Sequence, residues 1–194
     1  MDWLRSRWRF NNCVVVKSTC RGGGLGLLWL DEVKVEVQSF SRHHINAIIG
    51  DGNEEGGKWR FTGFYGEPDT NKRQESWDLL CRLKGMARLP WLCAGVFNEL
   101  LTSEEKLGVL RQQQQMDRFK QVLEYCGFNE MRVYGPRFTW SRGTGLNMIR
   151  ERLDRGVATE DWFRCFPGSC EKHLISTVSD HVPVLFQVRG HFQK

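Results

Sequence analysis

No apolar run in this 194-residue chain approaches the roughly 18–20 residues needed to cross a bilayer, so no membrane-spanning helix is expected. A secretory signal is lacking as well. Met1 to Phe10 interleaves Arg5, Arg7 and Arg9 with Trp3, Leu4 and Trp8, without a continuous apolar stretch or a small-residue cleavage site. Cys13, Cys20, Cys81, Cys93, Cys126, Cys165 and Cys170 form no Cys-x-x-Cys pair and no Cys/His cluster with zinc-ligand spacing. Seven is an odd number and the spacing is irregular, which argues against a disulfide framework and for thiols acting as small buried hydrophobes. No internal repeat or long linker interrupts the chain, and the one low-complexity patch is the polar stretch from Arg111 to Gln115. These absences point to a soluble intracellular protein, nuclear or cytoplasmic, with no membrane partner.

With 40% hydrophobic and 26% charged residues the composition is that of a globular protein, and the length favours one domain over residues 1–194. The net charge of +5 suits contact with a phosphate backbone, although charge of this size more often serves solubility alone. Period-two alternation predicts strands at Cys13–Lys17, Leu25–Leu30, Val33–Phe40 and Ile45–Gly50, separated by glycine-rich turns and read as an antiparallel meander. Trp59–Tyr65 and Leu89–Ala94 read as further strands, as do Phe138–Trp140, Arg152–Ala158 and Val182–Val188. Trp77, Leu80 and Leu83 at helical spacing predict a helix over Lys72–Met86. Phe119, Val122 and Leu123 predict another over Gln114–Cys126, with Gly127 as its C-cap. Strands outnumber helices and enclose them, so the expected class is a mixed α/β sandwich.

Four polar clusters fall at the ends of predicted strands, where sheet scaffolds present groups to a ligand. They are Tyr65 in Gly-Phe-Tyr-Gly, Asn98 in Ala-Gly-Val-Phe-Asn-Glu, Asp154 in Glu-Arg-Leu-Asp-Arg, and Ser179-Asp180-His181. Each alone has a plain structural reading. Asn98 reads as a turn residue or helix N-cap before Glu99, and Asp154 as a surface ion pair with Arg152 and Arg155. In this order, with Gly-Gly-Leu-Gly-Leu-Leu-Trp, Trp-Arg-Phe-Thr-Gly-Phe-Tyr-Gly, Gly-Pro-Arg-Phe-Thr-Trp-Ser and Ser-Asp-His-Val-Pro, the stretch from about Phe10 to Val188 resembles the endonuclease/exonuclease/phosphatase superfamily. Within it, the chain most resembles the apurinic-endonuclease-like domain of plant non-LTR (LINE-type) retrotransposons.

The resemblance implies a two-sheet, DNase-like α/β sandwich with the active site at one end of the sheets, Mg²⁺ as cofactor and DNA as partner. By position, His181 matches the family's catalytic histidine and Asp154 the carboxylate that orients it. Asp180 matches a metal-associated carboxylate. Asn98 matches an amide that binds the phosphate or the attacking water, and Tyr65 a tyrosine near the scissile phosphate. Trp140 is expected to pack beneath the site or beside the nucleic acid.

Two departures shape the functional expectation. The family phrase Gly-Asp-Phe-Asn stands here as Gly95-Val96-Phe97-Asn98, and valine can neither relay a proton nor help stage a metal. The family's first strand, with its Asn, and its second, ending in the Glu that binds the metal, have no match before Phe10. The expectation is therefore an N-terminally truncated sandwich without its first two strands, in which Trp3–Phe10 is helical and covers part of the gap. Functionally this implies a degenerate DNA phosphodiesterase with magnesium binding weak or lost. The alternatives are a non-catalytic nucleic-acid-binding module and an active phosphodiesterase or phosphatase of the same superfamily.

Overall fold

Along Trp59–Tyr65 the side chains alternate between two apolar environments. Trp59 and Phe61 turn toward one, while Arg60, Thr62 and Phe64 are buried in the other. A strand covered on both faces belongs in the middle of a sheet that separates two cores. The computed structural model, which describes residues 7, 9–17, 24–52, 57–109 and 111–189, bears this out. The N-terminal helix expected around Trp3–Phe10 falls mostly outside these residues.

In chain order the strands are β1 (Asn12–Val16), β2 (Leu25–Trp29), β3 (Val35–Ser41), β4 (His44–Ile49), β5 (Trp59–Tyr65), β6 (Trp91–Val96) and β7 (Lys106–Leu107). They continue as β8 (Phe128–Glu130), β9 (Val133–Tyr134), β10 (Trp140–Arg142), β11 (Ile149–Glu151), β12 (Asp154–Thr159), β13 (Cys170–His173) and β14 (Val184–Gln187). The helices are α1 (Gln74–Lys84), α2 (Gln113–Cys126) and α3 (Glu160–Cys165). The main sheet has the order β3-β4-β5-β6-β12-β8, and only the β5–β6 pair is parallel. A smaller sheet, β14-β13-β9, lies across the inner face of the main one, and a third, β10-β11-β7, borders the end where β6 and β12 meet. No helix among the described residues is long and apolar enough to cross a membrane.

The parallel β5–β6 connection needs a crossover, and α1 supplies it. Its buried Trp77, Leu80 and Leu83 recur three residues apart and face α2, where Phe119 stacks on Trp77 at 4.8 Å. Helix α2 stops at Gly127, whose φ of 72° is the left-handed conformation that glycine adopts without strain. These helices cover one face of the main sheet with Phe64, Trp91, Phe97 and Phe128. The other face meets the small sheet through Leu92, Met131, Ala158, Trp162, Phe166 and Phe186. Arg60 is buried among the first set with its guanidinium 3.5 Å from the Trp91 ring centroid, and burial pushes its pKa down to about 10. The six cysteines among the described residues are all free.

The structure corrects the expected four-strand meander. Only β3, β4 and β5 form one, because a turn closed by the Val33 N–H donating to Leu30 O at 3.0 Å redirects the chain. Strand β2 therefore packs against β4 and β5, and its ladder partner is β1 alone.

At Gly156 the two sheets approach tightly. A Cβ there would overlap the Phe186 ring and the Met131 sulfur, so the approach requires glycine. Gly156→Ala is expected to destabilise the protein by about 1–3 kcal/mol through overpacking, read as a lower urea midpoint with unchanged slope. A midpoint equal to wild type would show that the sheets can part here without loss.

Candidate active site

Strand register builds the site. Tyr65 pairs with Val96 across β5–β6, and Val96 pairs with Asp154 across β6–β12. Directly opposed residues share a face, so the three side chains form one row at the end of the space between the sheets. Their neighbours in sequence, Phe64 and Phe97, turn the other way into the helix-covered core.

Asp154 is buried and meets His181, whose Nδ1 donates to Oδ2 at 2.8 Å. That hydrogen bond and the two nearby carboxylates, Asp154 and Asp180, raise the His181 pKa above 6.5 against the opposing effect of burial. Fixing Nδ1 as the donor leaves Nε2 as the nitrogen able to take a proton from a substrate or water. Asp180 is exposed and accepts the Trp140 indole N–H at 3.0 Å, which is the first cause of its lowered pKa. Trp140 thus holds the carboxylate beside the histidine, a more direct role than packing beneath the site.

Thr139 ties these pieces together. Its Oγ1 accepts the backbone N–H groups of both Leu153 and Asp154 at 2.9 Å, while its carbonyl accepts the Val182 N–H at 2.8 Å. Trp140 and His181 form a bridge, and the Ser141 N–H donates to Asp180 O at 2.9 Å. One short segment therefore sets both the end of β12 and the Asp180-His181 loop.

Asn98 is not a helix N-cap. It adopts a left-handed backbone at φ 58°, with its side-chain amide donating to Gly66 O at 2.6 Å and its own carbonyl accepting Arg111 Nη1 at 2.7 Å. A non-glycine residue held in this region stores strain, which is commonest where the chain must aim a side chain. Burial raises the Tyr65 phenol above its ordinary value, and the Glu67 carboxylate adds to this while a hydrogen bond with the Asn98 side chain opposes it. Asn98 and Tyr65 thus lie on one side of Val96, and Asp154, His181 and Asp180 on the other.

Asp154 is not paired with its neighbouring arginines. Arg155 is fully buried and binds Glu105 at 2.8 Å and Glu130 at 2.9 Å, and Arg152 binds the same two acids. Arg111 spans Glu99 at 3.1 Å and Glu151 at 2.7 Å beneath Asn98. Sequence reasoning missed Thr139, His43 and this carboxylate–arginine layer. His43 Nδ1 lies 2.9 Å from Tyr65 O, with Nε2 3.7 Å from Glu67. The one available signal was the number of acid–base residues close to the strand ends.

A mixed α/β sandwich of this kind is the DNase-like fold. Among solved structures, the chain is similar to the endonuclease domain of TRAS1, a telomere-specific non-LTR retrotransposon, with TM-score 0.68 and 19% identity over 96% of this chain and 84% of that one. It is also similar to a variant of the 3′ phosphatase NExo from Neisseria bound to a product DNA hairpin, with TM-score 0.67 and 16% identity over 91% and 79% of the two chains. D. rerio TDP2 complexed with a single-strand DNA product gives TM-score 0.58 and 15% identity over 94% and 78%. No family model matches the sequence, and no curated protein does. At these identities the likeness defines the fold.

His181 carries a pH prediction. Its folded-state pKa lies above the unfolded 6.5, so the His181–Asp154 pair contributes stability fully below that value and loses it as pH rises through the folded pKa. Replacing Asp154 with Asn removes the largest cause of the shift, and the His181 ring should then titrate at or below its ordinary value by NMR. An unchanged titration would mean that the pair does not hold in solution.

Proposed function

We propose that this chain is a DNA-directed phosphodiesterase of the endonuclease/exonuclease/phosphatase type whose catalysis is impaired. One observation carries the reading: the row Tyr65–Val96–Asp154 keeps the residues that hold a phosphate and orient a base but has valine at its centre. In-line attack of water on a phosphodiester needs a base, donors that hold the phosphate, and positive charge on the phosphoryl oxygens. His181, oriented by Asp154, supplies a base, and Asn98 and Tyr65 supply donors.

The charge is what the donor set fails to hold. Magnesium is the ion the fold family implies, and it takes hard oxygen ligands in near-octahedral geometry. Among the described residues no group of three or more His, Cys, Asp or Glu side chains is arranged to hold a metal. Asp180 is a single exposed carboxylate already accepting Trp140 Nε1, and Val96 packs against the apolar cluster of Leu100, Met116 and Leu153 in place of a ligand. The residues present do not fit the ion, and no step is assigned to it. DNA as the partner is supported by the neighbours solved with a DNA hairpin and a single-strand DNA product, and by the net charge of +5. A resemblance to retrotransposon endonucleases, seen in the motifs, is supported by the TRAS1 likeness.

Nicking of supercoiled plasmid with and without magnesium tests this. Loss of an acid–base carboxylate typically lowers a rate by about 10²–10⁴, so cleavage should stay at background. Val96→Asp alone should raise it less than about tenfold, because it adds one carboxylate and no further ligand. DNA retention on a filter should fall steeply with salt and need no metal. Robust magnesium-dependent nicking by the unmodified chain, abolished by His181→Ala, would sink the reading of impairment.

A further inference from the structure

The small sheet carries a further histidine that the proposed chemistry does not use. His173 ends β13, is buried, and has an acceptor at each ring nitrogen. Pro136 O lies 2.6 Å from Nδ1, and Glu171 Oε1 lies 2.5 Å from Nε2. A neutral imidazole has one N–H and one lone pair, and can donate to only one of them. The remaining neighbours of the Glu171 carboxylate are also donors: the Gly156 N–H at 2.6 Å from Oε2 and Arg152 Nη2 at 3.8 Å from Oε1. Arg152, on the approach to β12, and Glu171, on β13, are the charged groups that face the ring.

We propose that His173 is a buried imidazolium that acts as a positioning residue, donating from both nitrogens and clamping the Pro136–Trp140 strap to the small sheet. The strap leads directly into Thr139 and Trp140, whose bonds set the end of β12 and hold Asp180. Gly135 is pressed against His173 O closely enough that a Cβ there would overlap it, so the strap enters hard against β13. Loss of the proton leaves a lone pair facing an acceptor at one end of the ring, so the chain of bonds from Glu171 through the ring to Pro136 breaks at one of its two links. Burial works against the charged ring, but Glu171 and the Pro136 carbonyl together raise its pKa. The inference rests on the proposed reading only for what the strap positions; the clamp itself is testable without any activity.

The test uses the full chain and long-range ¹H–¹⁵N spectra of the histidine rings across pH 6 to 9, together with amide exchange. At neutral pH both His173 nitrogens should appear protonated, and Glu171→Gln should lower its titration. Protection factors of the Leu153 and Asp154 amides should fall at least tenfold as His173 deprotonates, while those of Leu92–Ala94 in β6 hold. His181→Ala should leave this behaviour intact, which separates the clamp from the catalytic pair. His173→Gln, which keeps one donor end, should show the lowered protection at every pH. If it does not fold, Glu171→Gln and the wild-type titration still decide the matter. One bare ring nitrogen at neutral pH, or amide protection indifferent to His173 titration, would overturn the proposal. Plasmid nicking has no bearing on either result, so this inference and the functional reading can fail separately.

Discussion

The Glu171 carboxylate is the link on which the arrangement of the two sheets depends. It reaches from β13 across the inner core to accept the Gly156 N–H of β12 at 2.6 Å, while its other oxygen meets His173. A buried carboxylate without donors would cost several kcal/mol, so its donors and the close approach at Gly156 stand or fall together. A side chain at 156 would push the sheets apart and strand the acid, and an apolar or shorter residue at 171 would leave a strand N–H unpaired. The apolar contacts of Phe186, Met131 and Trp162 supply cohesion but no register, because they are non-directional. The carboxylate supplies the register. It fixes how β13 lies over β12, and thereby where the strap after Gly135 meets the end of the main sheet.

A similar logic organises the charged layer beneath Asn98. Arg73 and Arg111 converge on Glu99, Arg111 and Lys106 on Glu151, and Arg152 and Arg155 on Glu105. Burial works to raise the Glu105 carboxyl, but Arg155 and the Leu101 N–H outweigh it and hold the group below its ordinary value. Such pairs add little net stability over well-packed hydrophobes, yet breaking one leaves an uncompensated charge. Their effect is directional. Arg111 holds the carbonyl of Asn98 in place and so sustains a left-handed backbone that an unsupported asparagine would leave.

These two layers also mark how far the sequence could be read. Long elements were legible: Trp59–Tyr65 lies where its apolar run placed it, and α1 and α2 lie within two residues of their expected ends. The two-residue β7 and β9 and the three-residue β8 and β11 are too short for any period to register, and α3 spans six residues. Strand β13 was invisible for a different reason. Glu171 and His173 point inward, and an inward acid–base pair has the same pattern as an outward one. For the candidate site, Tyr65, Asn98, Asp154, Asp180 and His181 were singled out in the sequence because they punctuate predicted strand ends in a characteristic order. Thr139 was not, since a threonine in a strand pattern gives no hint that its hydroxyl will serve two backbone groups.

Retention of the His181–Asp154 pair beside Val96 has a structural explanation. Asp154 and residue 96 are direct register partners, so a carboxylate at 96 would face Asp154 at the distance where like charges destabilise a sheet. A cation or a shared proton would be needed to relieve that repulsion, and valine removes the need while packing against the Leu100–Met116–Leu153 cluster. Asp154, by contrast, cannot be dropped cheaply. It is buried at a strand end whose N–H is already committed to Thr139, and His181 is the partner that neutralises it. The bridge from His181 to Trp140 joins the same segment to the strap. A site built this way tolerates an apolar residue at 96, whereas losing the His181–Asp154 pair would disturb the fold around it. The pair is thus anchored by the fold around it, whatever residue stands opposite Asp154 in the row.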